Sequence, residues 1–194
     1  IVNEYWWNTR TMKSSLFNPS DLTQPLKTIT ERNYQDIYSD PGNPIMHQNK
    51  FGRNVLHILD NHVYLLGDGH SKEGQFPFVD KFNLNSLETT RIYQSKFTDK
   101  VESLNDAIDL ENGKFLVRIQ SPTEFPNYYI RDISKNDLQQ LTDFKNPFES
   151  LNNVHKEVIK YNRDDGLELT GTLYLPADYD LDSNLKLPLI VTAY

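Results

Sequence analysis

Three segments of this chain share one layout, and that recurrence restricts its fold more than any single motif. In SSLFNPSDLTQPLKTITE, VDKFNLNSLETTRIYQ and YYIRDISKNDLQQLTD, an apolar or aromatic stretch closes on an Asn- or Asp-bearing turn, and a shorter stretch rich in Thr and aliphatic residues follows. The turn residues Asn18, Asn83 and Asp132 stand at spacings of 65 residues (18 to 83) and 49 residues (83 to 132). The second spacing is close to the ~40–50 residues of a four-stranded propeller blade. The first is longer because 33–49 adds an extended Pro/Gly loop. The pattern therefore predicts the tail of one blade over 1–32, a full blade over 45–96 and another over 101–144.

Labelling the strands A to D from the inside outward, the middle blade reads FGRNVLHILD, NHVYLLGD, FPFVDKFNL and TTRIYQ. The third reads VESLNDAIDL, KFLVRIQS, NYYIRDI and LQQLTDF. Asp60-Asn61-His62 and Glu111-Asn112-Gly113 supply the A-to-B turns. Because antiparallel strands alternate in direction, the B-to-C and D-to-A loops share one end of the sheets. That end carries 33–43, 67–77 and 120–127, the longest loops, and substrate-facing residues are expected there.

A different pattern begins near His155. Val158, Ile159 and Tyr161 lead to Asp165-Gly166, and Leu167, Leu169, Leu173 and Leu175 then alternate, which reads as a β-hairpin. Pro176 and an Asp-rich loop follow, and 187–193 is a continuous apolar run of the kind a doubly covered strand needs. The run KEVIKYNRDDGLELTGTLYLPADYD with LPLIVTAY resembles the opening of the α/β-hydrolase domain in the prolyl oligopeptidase family of serine peptidases, and it is most similar to the glutamyl endopeptidase-like branch, which includes proteins labelled dipeptidyl or acylaminoacyl peptidases. YSDPGNP (38–44), FGR (51–53), SPTEFPNYYIRD (121–132) and LTDFKNP (141–147) fit the same branch. The expected fold is mainly β: C-terminal blades of a β-propeller over 1–144, a connector over 145–153, and the first strands of an α/β-hydrolase domain from 154 onward.

The resemblance implies a parent that hydrolyses peptide bonds through an acyl-enzyme, with the propeller gating access and the rest of the propeller and hydrolase domain as intramolecular partners. It also implies that the catalytic Ser, Asp and His lie downstream, so no catalytic residue is assigned in this chain and the fragment alone is expected to be inactive. The nearest match to a nucleophile turn, Gly69-His70-Ser71-Lys72-Glu73-Gly74, has one residue too many before its second Gly and precedes a strand. A polar loop is the better reading of Ser71.

Recognition of a peptide carboxylate or acidic side chain calls for a guanidinium fork. Arg118, at the end of a B strand, is the first candidate, and Arg10 occupies a similar place in the first partial blade; the competing reading for each is a salt bridge to a local acid. Glu124, presented between Pro122 and Pro126, is the third candidate, for substrate or for holding two domains together. The Tyr5-Trp6-Trp7 and Tyr128-Tyr129 groups read as packing between blades.

No metal or cofactor site is expected. Asp178, Asp180, Asp182 and Asn184 begin like a calcium loop, but Ser183 replaces the required Gly and Leu189 the closing Glu. The five His are scattered without the spacing of a zinc site, and there is no Cys. A net charge of −7 with dispersed Lys and Arg argues against a nucleic-acid surface, and no apolar run reaches the ~18 residues of a membrane span. The alternative function is a non-enzymatic propeller that binds peptide or carbohydrate, with self-association to complete the propeller as a third reading.

Overall fold

Alternating apolar residues and Asn/Gly turns build antiparallel meanders throughout the computed structural model, which describes residues 1–183 and 185–192 and is nearly all β. The chain divides into two compact units, Ile1–Phe144 and a second beginning at Lys145.

The first unit contains three main sheets. In the first, β1 (Val2–Trp6), β2 (Thr11–Leu16) and β3 (Lys27–Asn33) are antiparallel in chain order. The second is more complicated on its inner side. Strand β4 (Asn43–Pro44) and, after a small hairpin of β5 (Met46–Gln48) with β6 (Asn54–Leu56), strand β7 (Ile58–Leu59) both pair with β8 (His62–Gly67). Strands β9 (Phe78–Asn83) and β10 (Thr89–Gln94) complete it outward. The third sheet runs β11 (Val101–Asp109), β12 (Lys114–Gln120), β13 (Asn127–Asp132) and β14 (Asp137–Gln140) in that order. No closed sheet forms among the described residues.

Two strand expectations in the first unit need correction. The innermost strand of the second sheet is not a continuous 51–60. Asn49 Oδ1 accepts the Phe51 and Arg53 N–H groups, the Asn49 N–H donates to the Arg53 carbonyl, and Gly52 takes a left-handed φ of 70°. These local bonds turn 54–56 back onto 46–48, so residues 43–45 and 58–59 share the edge of β8 instead, with the Ile45 N–H donating to Tyr64 O at 2.9 Å. The outermost strand of the third sheet stops at Gln140 and does not reach Phe144. There the Leu141 N–H donates to Tyr128 O while the Thr142 hydroxyl accepts the Tyr128 N–H, so a side chain replaces the next ladder bond.

The core joins the second and third sheets. Val79, Phe115 and Val117 are fully buried, and Ile45, Tyr64, Leu110 and Ile119 pack with them. Strand β12 shows why: in KFLVRIQ, Phe115, Val117 and Ile119 share one face by the two-residue repeat of a strand and are all buried, while Leu116 and Arg118 lie on the other.

In the second unit, β15 (His155–Asn162) and β16 (Glu168–Leu175) form the expected hairpin. Gly166 supplies the left-handed φ of 87° at the turn, and Leu169, Leu173 and Leu175 share the half-buried face of β16. The apolar run after Pro176 differs from expectation. Residues 187–192 form no strand, and Leu189, Ile190 and Val191 are 76%, 87% and 77% exposed. Such a run becomes a strand only between paired neighbours, and among the described residues none lies beside it. Ala193, at the end of the expected strand, lies outside the described residues, as does Asn184 of the acidic run.

Candidate functional site

Three connections meet at one end of the second and third sheets and enclose a groove of about 490 Å³. The β8–β9 connection contributes Glu73 to Phe76, the β10–β11 connection Phe97 to Lys100, and the end of β12 contributes Gln120, Ser121 and Pro122. Phe76, Phe97, Val101 and Pro122 give it apolar walls, and the polar groups stand around them.

Each wall is fixed locally. Gly69 adopts a φ of 63° beside the Phe76 backbone, whose N–H donates to the Gly69 carbonyl at 2.9 Å. Within that loop the Ser71 hydroxyl donates to the Gly74 carbonyl at 3.0 Å and accepts the Glu73 N–H, so it is bound into a hairpin turn. In 121–126, Ser121 Oγ accepts the Glu124 N–H at 2.9 Å, and the Ser121 N–H donates to the Glu124 carbonyl.

Of the candidate recognition residues, Glu124 does not line the groove itself but is tied to it through Lys100, which does. Its carboxylate pairs with Lys100 Nζ at 3.2 Å, across two connections. Arg118 donates to Gln120 Oε1 at 2.9 Å, and among the described residues no carboxylate pairs with it. It lies on the face of β12 opposite Phe115, Val117 and Ile119. Arg10 is in the β1–β2 turn, with a left-handed φ of 59°; its guanidinium stacks 3.9 Å from the Trp7 ring centroid and donates to the Tyr34 hydroxyl at 3.2 Å. The three candidates form no single cluster: each has its own local partners.

The sequence reading passed over Lys100 and a buried ionic network behind the groove. Glu102, on β11, has a side chain 0% exposed and accepts from Arg131 Nε at 3.0 Å and from the Tyr93 hydroxyl at 2.6 Å. The Arg131 guanidinium also lies 5.6 Å from the Tyr93 ring and 5.7 Å from the Phe97 ring. Tyr93 comes from β10, so the network clamps the second sheet to the third. Burial, and then the hydrogen bond to Glu102, push the Tyr93 hydroxyl well above its ordinary range. The available signal was parity: Glu102 falls in step with Leu104, at a position where a strand turns inward. At the β13–β14 turn the Ser134 hydroxyl, donating at 2.6 Å, holds Asp132 below the usual carboxylate range.

A second cavity, of about 730 Å³, lies beside the β5–β6 hairpin, where the His47 and His57 rings approach to 4.9 Å between centroids. Among the described residues no group of three or more His, Asp or Glu is placed to hold a metal ion.

Comparison with known proteins gives the geometry a context. No protein-family model matches the chain. Two curated relatives align with all of it: a probable chloroplastic glutamyl endopeptidase of Oryza sativa subsp. japonica, 35% identical over 207 residues, and one of Arabidopsis thaliana, 31% identical over 208. The likeness is to peptidase-related proteins. The chain spans 22% of the length of each. Among solved structures, the apo AtxE2 isopeptidase is similar over 91% of this chain and 26% of its own, at 18% identity and a TM-score of 0.37. TolB from Acinetobacter baumannii is similar over 90% and 40% respectively, at 13% identity and a TM-score of 0.31.

Proposed function

We propose that this chain is the non-catalytic, substrate-admitting part of a serine peptidase of the prolyl oligopeptidase type. In this reading the sheets of the first unit are propeller blades, the 155–175 hairpin opens an α/β-hydrolase domain, and the Ser-Asp-His triad belongs to sequence outside these residues. The observation that carries the reading is the alignment of both glutamyl endopeptidase relatives over the whole chain. The convergence of the long connections on one apolar-walled groove supports it, since a concave site with a few polar groups is the usual form of a ligand site.

Within that reading the groove contacts an extended peptide before it reaches the nucleophile. Glu124 and Lys100 bear on the peptide at the groove, and Arg118 and Arg10 offer guanidinium groups to acidic side chains. Catalysis proceeds by attack of the parent's Ser on the peptide carbonyl, release of the amine, and hydrolysis of the acyl-enzyme.

The test uses the full natural protein that carries this segment. Treatment with a fluorophosphonate probe is expected to label one Ser outside residues 1–194 and to abolish hydrolysis of peptides cleaved after Glu. Arg118→Ala and Glu124→Ala are expected to raise KM with little change in kcat, the pattern for groups that bind without reacting. A folded full protein that neither labels nor cleaves any peptide overturns the enzyme reading and leaves a binding module.

A further inference from the structure

One buried side chain joins the wall of the groove to the end of the first unit. Asn127, the first residue of β13, is 8% exposed, and its amide makes every bond it can make. Nδ2 donates to the Phe125 carbonyl at 3.2 Å and to the Phe144 carbonyl at 3.1 Å. Oδ1 accepts the Phe144 N–H at 2.6 Å and the Thr142 hydroxyl at 2.8 Å. Thr142 Oγ1 in turn accepts the Tyr128 N–H at 2.9 Å.

These bonds connect two segments that the β-ladder leaves apart. Phe125 belongs to 121–126, whose Ser121 and Pro122 line the groove. Phe144 is the last residue of the first unit, beyond the end of β14, and both its backbone groups are held by the same amide. Neither Phe125 nor Phe144 lies in a strand. Asn127 is therefore a side-chain junction between the two segments, next to the Thr142 N–H, which donates to Tyr128 O at 3.3 Å.

We propose that Asn127 is the pin of a conformational device: it makes 121–126 and 142–144 open and close as one body, so that the position of the chain where it leaves the first unit sets the shape of the groove wall. A chain pulled away at Phe144 breaks the two bonds between Phe144 and the Asn127 amide and leaves that amide free to turn away from Phe125. A ligand that orders 121–126 correspondingly orders Phe144, because linkage between two sites is reciprocal. The coupling holds whether or not the groove belongs to a peptidase.

Hydrogen exchange on the full natural protein that carries this segment tests it without any ligand. Asn127→Leu removes all four bonds, and the amides of Ser121, Glu124 and Phe144 are expected to exchange together, roughly 5- to 10-fold faster, the effect of losing about one net hydrogen bond each. The β1–β2 amides should not change. Asn127→Asp distinguishes a pin from general loosening. Its carboxylate still accepts from Phe144 and Thr142 but cannot donate, so Ser121 and Glu124 are expected to speed up while the Phe144 N–H stays protected. Thr142→Val, which leaves the Asn127 amide in place, should speed Tyr128 and affect Ser121 and Glu124 by less than twofold. The proposal is overturned if Asn127→Leu leaves the loop amides at their original rates, or if Ser121, Glu124 and Phe144 respond equally to Asn127→Asp. Should Asn127→Leu fail to fold, the Asp and Val variants decide the matter by the same criteria.

Discussion

Removing Arg131 alone should be among the most damaging single changes in the chain, and the structure allows the size of the loss to be worked out. Glu102 has no exposed side-chain surface, and among the described residues Arg131 Nε and the Tyr93 hydroxyl are its hydrogen-bond partners. Arg131→Ala leaves a desolvated carboxylate with only the Tyr93 hydroxyl. Breaking a buried pair from one side costs about 3–5 kcal/mol, a large share of the ~5–15 kcal/mol that holds a domain folded. Tyr93→Phe removes a hydrogen bond to a charged acceptor and should cost about 1.5–3 kcal/mol. The double variant Glu102→Leu/Arg131→Met, which replaces both charges with apolar volume, should be destabilised by less than either single replacement, because neither charge is left alone in the interior. Urea unfolding followed by far-UV circular dichroism gives the values for these variants and for the single changes Glu102→Leu and Arg131→Met. Trp6 and Trp7 are unsuitable reporters, being already 44% and 73% exposed in the folded state. A loss below ~1 kcal/mol for Arg131→Ala, or strictly additive single changes in the double variant, would refute the clamp as a coupled unit.

Three further outcomes follow from the same geometry. Alkali should weaken the fold: the Tyr93 hydroxyl titrates above its unfolded value of about 10, so its contribution is complete below that pH and is lost as pH rises past it. Stability measured between pH 9 and 11 should therefore fall less steeply in Tyr93→Phe than in the parent chain. Gly69→Ala places a Cβ 1.9 Å from the Phe76 carbonyl oxygen at a left-handed φ of 63°. Strain and crowding together should cost about 2–5 kcal/mol, and exchange at the Phe76 amide will show whether the β8–β9 connection loses its shape. Phe115→Ala opens a cavity at a fully buried position between two sheets and should lower unfolding stability by about 3–5 kcal/mol; a change under ~1.5 kcal/mol would mean the sheets close over the gap.

The parts of this molecule that could be read from sequence are those decided by neighbours on one strand. In KFLVRIQ the alternation of Phe115, Val117 and Ile119 names the buried face of β12 directly, and Asp165-Gly166 fixes the hairpin of the second unit because one left-handed residue is all that the turn requires. The misread innermost strand of the second sheet is a contest between two local signals: FGRNVLHILD has the apolar content of a strand, yet Asn49 and Gly52 before and within it make a turn whose bonds form at shorter range. The run 187–192 fails for the opposite reason, since its apolarity specifies partners and not a conformation. The inward position of Glu102 was legible by parity with Leu104, but its role was not, because its partners, Tyr93 and Arg131, lie on different strands and meet only when two sheets pack. Asn127 was overlooked similarly: an Asn at the start of a strand reads as a turn residue, and only the return of Thr142 and Phe144 to its side turns it into a junction. The groove was legible as an end of the sheets, through strand direction alone, but its chemistry was not. Which charge faces which depends on contacts such as Lys100 to Glu124, and strand direction brings loops together without choosing among their side chains.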